Sequence, residues 1–271
     1  MTQKSGFDAM AEHYDEDFVH SAIGLLQRRL VHLHLEPIIS ENAVKRVLDM
    51  GSGTGEDLLF FGDHGLNGIG IDSSQVMITK ATEKLTTAQY QMKFQLHKID
   101  VIDYLSSTEE VNFDMVFSNF GALNCIQPSD LKEVVQALHA RIHRGGYVVL
   151  VVMTSFCLWE SIYFLWKGKR DKASRRWRRD STIFETQECE DLNIWYYSPR
   201  KLYTLFKDYF TLHSIRPVGC FIPPSYMEPA LKRKPLLLKG LFKMDRLTAT
   251  LSPLAYLSDH FLIVMQKKEN G

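Results

Sequence analysis

Apolar residues recur at helical spacing at the start of the chain, at Phe7, Met10, Tyr14, Phe18, Ile23, Leu26, Leu30 and Leu33, and Pro37 follows. This predicts one or two helices that stop at the proline. The period then changes. Val47–Leu48, Gly68–Ile71, Phe94–Ile99, Phe113–Ser118 and Tyr147–Met153 are short apolar runs of strand length. Helical stretches stand between them, the clearest being Leu131–Ile142, which puts Leu131, Val134, Val135, Leu138 and Ile142 on one face before Gly145-Gly146 turns the chain. Further on, Tyr203–Phe210 reads as the close of a helix, Leu212–Val218 as a sixth strand and Phe261–Gln266 as a last one. Alternating strands and helices predict a parallel sheet wound on both faces.

The first strand runs straight into Asp49-Met50-Gly51-Ser52-Gly53-Thr54-Gly55, and Asp57–Phe61 opens a helix behind it. A glycine turn between strand and helix lets a ligand lie on bare backbone at the positive end of the helix. Spacing separates three ligands. A triphosphate loop needs Gly-Lys-Ser/Thr, but Glu56-Asp57 stands there; a dinucleotide loop needs its third glycine where Glu56 stands. The acid at Asp49 favours a cation. Seventeen residues beyond Gly55, Asp72 ends the second strand, where a carboxylate can accept from both hydroxyls of a ribose.

These residues resemble the class I S-adenosylmethionine (AdoMet) methyltransferases, whose first motif, a strand ending in Asp-x-Gly-x-Gly-x-Gly, is matched in full. The resemblance covers residues 40–153 and, more faintly, 198–221 and 259–268. It implies a Rossmann-like, doubly wound α/β fold with seven strands in the order three, two, one, four, five, seven, six, the last antiparallel. It implies AdoMet as cofactor, held by Asp49, Gly51, Ser52, Gly53, Thr54 and Gly55, with Asp72 and Ser73 at the ribose. Asp100 would accept from the adenine amino group and the Val101 amide would donate to the ring. Met77 either lies on the adenine or packs in its helix. Tyr14 either leans over the cofactor or packs between helices. Asn119, Phe120 and Asn124 follow the fourth strand, beside the switch point where such sheets bind ligands.

Two stretches exceed the minimal fold, 154–197 and 222–258, and both leave carboxyl ends of strands, so they are expected to roof the acceptor pocket of a single domain spanning 1–271 whose residues 1–40 form a helical cap. Trp159, Tyr163 and Tyr226 are the expected pocket aromatics. The helix around Phe156–Trp166 is aromatic on nearly every face, which predicts burial, and a basic run, Lys167–Arg179, follows it. The flanking of apolar helices by cations has three readings, a lid over a small substrate, a transient membrane-surface contact, or a nucleic-acid contact, in that order of preference.

Composition narrows the picture. With 32 basic and 32 acidic residues the chain is formally neutral, which argues against a dedicated nucleic-acid binder. Four separated cysteines signal neither a metal site nor a disulfide framework, and the N-terminus lacks a leader-like apolar run, so a soluble cytoplasmic protein without a metal is expected. The Asn/Asp-Pro-Pro-Tyr/Phe signature of base-amine methylation is absent at Ser118-Asn119-Phe120-Gly121. Cys125 reads as a packing thiol. As a general base, His260 at the start of the last strand ranks ahead of His20, His32 and His34, with Asp259 either orienting its ring or capping the strand. The expected activity is methyl transfer to oxygen, nitrogen or carbon of a small, largely apolar molecule. The alternatives are a nucleic-acid or protein methyltransferase using the basic run, or a regulatory protein that binds the cofactor without turnover.

Overall fold

The computed structural model describes residues 14–41, 44–107, 112–177, 182–186, 189–231 and 233–269. Strands β1 (Arg46–Met50), β2 (Asn67–Asp72), β3 (Phe94–Lys98), β4 (Phe113–Ser118) and β5 (Ile142–Met153) run parallel. A hairpin of β6 (Thr182–Thr186) and β7 (Cys189–Ile194) stands apart, and β8 (Phe210–Val218) and β9 (His260–Lys267) complete the main sheet in the order β3-β2-β1-β4-β5-β9-β8. Strand β9 is antiparallel to both neighbours. Counted within this sheet, the order is the expected three, two, one, four, five, seven, six.

The period of two along each strand divides the core into two layers. Leu48, Ile69, Ile71, Val116, Val148 and Leu150 face one side, where α4 (Val101–Ser106), α5 (Leu131–Arg141) and α7 (Pro199–Phe206) bring Leu105, Leu138 and Phe206. Val47, Met115, Phe117 and Val149 face the other, against Leu35, Phe61 and Leu85 of α1 (Ala22–Glu41), α2 (Glu56–Asp63) and α3 (Gln75–Thr87). Each such side chain stabilises the fold by about 1.5–3 kcal/mol on burial. A third, smaller cluster joins Ile23 and Leu30 of α1 to Leu238 and Phe242 of α8 (Pro235–Thr248).

Four local expectations change. Pro37 lies inside α1 instead of ending it, because Ile38 and Ile39 beyond it are buried and carry the apolar face on to Glu41. Strand β5 begins at Ile142, with its register against β4 shifted where Gly145-Gly146 lies, so the glycines make a bulge within the strand. The β6–β7 hairpin was not legible as strand. The aromatic helix, α6 (Leu158–Trp166), buries only one face and leaves Leu158, Ile162, Leu165 and Trp166 exposed. Cys125, Cys157 and Cys220 are free thiols.

Candidate functional site: the glycine loop and its roof

The carboxyl end of β1 turns sharply because the amides of Gly51 and Ser52 both donate to the Ile71 carbonyl at 2.9 Å. Gly51 has φ +72°, and a Cβ there would stand 2.4 Å from Ala122 Cβ, so the loop after β4 approaches only because position 51 has no side chain. Gly53, at φ +51°, has no neighbour nearer than a Tyr14 ring carbon, 4.0 Å from its missing Cβ. That side opens on a cleft lined by Tyr14, Gly51, Ser52, Gly53, Thr54, Asn119 and Phe120, all of them expected cofactor residues. The Gly53 amide donates to Asp72 Oδ2 (3.0 Å) and the Ser74 amide to Asp72 Oδ1 (2.9 Å), which ties the loop to the end of β2 and the start of α3.

Charge is concentrated behind the loop. Asp49 is 1 % exposed and neither carboxylate oxygen has a hydrogen-bond partner among the described residues. Burial, then the nearby charges of Asp57 and Asp72, push its carboxyl well above the usual range against the opposing pull of Arg28. Ser52 Oγ is likewise buried and unpartnered. An acid left in this condition is satisfied by a ligand that carries a positive charge and donors.

Sequence reasoning missed the polar wall opposite. Asp57, in the first turn of α2, pairs with Arg28, lies 2.8 Å from His32 Nε2 and accepts from Asn119 Nδ2 at 3.0 Å. Burial opposes its ionisation, but Arg28 and His32 hold its carboxyl below the usual range. The Arg28 guanidinium also stands 5.1 Å over the Phe120 ring. The available signal was that Arg28 and His32 are four apart, hence on one face of the first long helix. A second polar knot crosses the loop: Thr54 Oγ1 donates to Asp15 Oδ1 (2.5 Å), and Lys84 Nζ reaches Asp15 at 2.9 Å and Glu56 at 2.6 Å. It anchors the segment that holds Tyr14 against the cleft. Residues Phe7 to His13 of the expected cap lie outside the described residues.

The remaining expected residues sit as follows. Gly55 precedes α2 at φ +84°. Asp72 and Ser73 end β2 beside the start of α4, where Asp100 caps the helix by accepting from the Ile102 amide (2.8 Å) and Val101 is its first residue. Met77 is buried on α3. Asn124 is fully buried, its side chain donating to the Trp195 carbonyl (2.6 Å) and accepting from the Met153 amide (2.9 Å), so it braces the loop after β4 against β5.

Strand β9 reaches the cleft through Phe120, which lines it. His260 packs edge-on to Phe120 with ring centroids 5.4 Å apart, and its Nδ1 lies 3.2 Å from Asp259 Oδ2. Asp259 is buried; it accepts from Arg176 Nη2 (2.7 Å) and from Gln27 Nε2 (3.3 Å). Arg176 also pairs with Glu160 (3.0 Å), which Arg175 grips in a two-bond fork at 2.8 Å each. Burial opposes ionisation of both acids, yet the arginines, with His260 for Asp259, hold both carboxyls below the usual range. Trp159 Nε1 donates to the Phe221 carbonyl (3.1 Å), while Tyr226 stacks on Phe164 with ring centroids 5.7 Å apart and meets Tyr163 at a tilt, centroids 5.6 Å apart. Part of the basic run is therefore turned inward: Arg176 is buried and Arg175 pairs with Glu160. Arg178 and Arg179 lie outside the described residues.

Residues 47–146, from β1 to the glycines of β5, match the family model of the methyltransferase domain. Over that stretch the chain resembles a class I methyltransferase domain. AdoMet is the cofactor of that class, and the unpartnered Asp49 carboxylate, the bare Gly53 and the Asp72 carboxylate fit such a ligand. Over 115 residues the chain is 31 % identical to a carboxy-S-adenosyl-L-methionine synthase of Helicobacter hepaticus, an alignment covering 41 % of this chain. It spans about half of that relative, 45 %. The N-methyltransferase NodS of Bradyrhizobium japonicum WM9, solved with S-adenosyl-l-homocysteine, has the same fold at TM-score 0.56, with 13 % identity over 92 % of this chain and 90 % of that one. The 1,6-didemethyltoxoflavin-N1-methyltransferase of Burkholderia thailandensis matches this domain's fold at 0.54, with 14 % identity over 96 % and 88 % of the two chains.

Proposed function

We propose that this methyltransferase transfers the methyl of AdoMet to a small, largely apolar organic acceptor held between Phe120, His260 and the two insertions. What carries the small-molecule reading is the inward turn of Arg175 and Arg176, which spends their charge on Glu160 and Asp259 instead of offering it to a polyanion. The likeness to the N1-methyltransferase of a small heterocycle supports it at the level of fold. Bound AdoMet supplies a methyl already activated by its sulfonium. The chain's own residues then have two tasks, alignment and proton removal. Gly53 and Asp72 fix the cofactor's position, and Trp159, Tyr163 and Tyr226 supply apolar roof that excludes water. His260 takes the proton of the acceptor as the new bond to carbon forms. Asp259, kept ionised and oriented by Arg176 and Gln27, stabilises the resulting imidazolium.

His260→Gln is expected to lower kcat by about 10²–10⁴-fold, the usual worth of a positioned base, while leaving AdoMet affinity within about twofold. The reading itself is tested by incubating the chain with methyl-labelled AdoMet and a mixture of metabolites, RNA and protein. Label in the small-molecule fraction is the expected outcome. Label confined to RNA or protein would overturn it.

A further inference from the structure

The two insertions carry a surface that the cleft does not use. Apart from Leu25 and Met92, every exposed large hydrophobic side chain among the described residues lies within them. On α8, Leu236, Met244 and Leu247 stand at i, i+8 and i+11 and so form a single stripe, with Gly240 facing open space in the gap. Leu236 is 82 % exposed. Exposed Lys239, Lys243 and Arg246 run along one border of the stripe. The one acid between Arg233 and Leu251 is Asp245, which is buried on the opposite side and accepts from the amides of Cys220, Phe221 and Ile222 at 2.8–3.1 Å. The outward face of α8 is therefore apolar and cationic with no negative charge.

Helix α6 repeats the pattern and is held by the same loop, through Trp159 and the Phe221 carbonyl. Its exposed Leu158, Ile162, Leu165 and Trp166 stand at i, i+4, i+7 and i+8, and exposed Lys167, Lys169 and Arg170 follow directly. Trp166 is 82 % exposed. No helix among the described residues is long and apolar enough to cross a membrane.

We propose that α8, with the stripe of α6 beside its anchoring loop, docks on the surface of an anionic lipid bilayer. An anionic bilayer meets both halves of the pattern at once: the apolar stripe enters the boundary of the acyl chains and the lysines and arginine meet lipid phosphates. A second copy of this chain would have to match an acid-free face with one of its own. The test is sedimentation of the full chain with vesicles of phosphatidylcholine mixed with phosphatidylglycerol, against vesicles of phosphatidylcholine alone. The chain is expected to bind the anionic vesicles, to bind the neutral ones more than about tenfold more weakly, and to lose binding at high salt. Lys239→Glu with Lys243→Glu and Arg246→Glu, and separately Leu236→Ser with Leu247→Ser, are each expected to weaken vesicle binding more than about tenfold while AdoMet binding, followed by calorimetry, stays as in the parent. Equal binding to both vesicle types, binding to neither, or full binding by either variant would overturn the proposal. A concentration-dependent dimer that Leu247→Ser dissolves, without vesicle binding, would assign the face to a second copy.

Discussion

Changing Asp72 to Ala is expected to weaken AdoMet binding by about two to four orders of magnitude while the chain stays folded. The carboxylate holds the amide of Gly53 at 3.0 Å and that of Ser74 at 2.9 Å, so it shapes the cradle, beside the ribose contact proposed for it. Two charge-assisted hydrogen bonds to a ribose, at about 1.5–3 kcal/mol each, account for the loss. Calorimetry of the variant, with its thermal midpoint measured alongside, checks this. Near-native affinity would mean that the ribose does not rest on Asp72.

The largest expected loss of stability comes from Arg176→Ala. Its guanidinium is the shared partner of Glu160 and Asp259, which are both buried, and it donates as well to the Asp259 main-chain carbonyl at 2.9 Å. Removing one partner of a buried ion pair strands the other charge and costs about 3–5 kcal/mol. For a chain of this size that is a fall in Tm on the order of 10 °C. Replacing exposed Arg170 by Ala is expected to change Tm by no more than about 1 °C. The pH dependence has a definite sign. Glu160 and Asp259 are held below their ordinary range in the folded chain, so their contribution is complete above the unfolded carboxylate pKa of about 4 and is lost as pH falls below it. A drop in Tm below about 2 °C for Arg176→Ala would show that the network is not desolvated.

The sheet was legible because its central strands are buried on both faces and so read as apolar runs, and because Asp49, the three glycines and Asp72 stand at spacings that one geometry requires. The cleft's polar wall was not. Asp57 lies 29 residues beyond Arg28 and 25 beyond His32, and nothing in a charged residue on a helix says which helix it will face. The basic run misled for the same reason: a count of cations next to Trp177 cannot show that Arg176 folds back on Glu160 and Asp259, which lie sixteen residues before it and eighty-three after. The aromatic helix misled in the other direction, since the rule that apolar faces are buried holds only where the chain itself supplies the cover, and α6 covers one side alone.

AdoMet is expected to lie across Gly53 with its positive charge meeting Asp49. Calorimetric titration of the chain with AdoMet over a range of pH, in buffers of different ionisation enthalpy, tests this directly. One molecule per chain is expected to bind, more tightly as pH rises, with release of protons, because burial and the neighbouring acids raise the carboxyl of Asp49 and the cation binds its ionised form. Absence of heat with AdoMet, together with saturable binding of a nicotinamide dinucleotide, would contradict it.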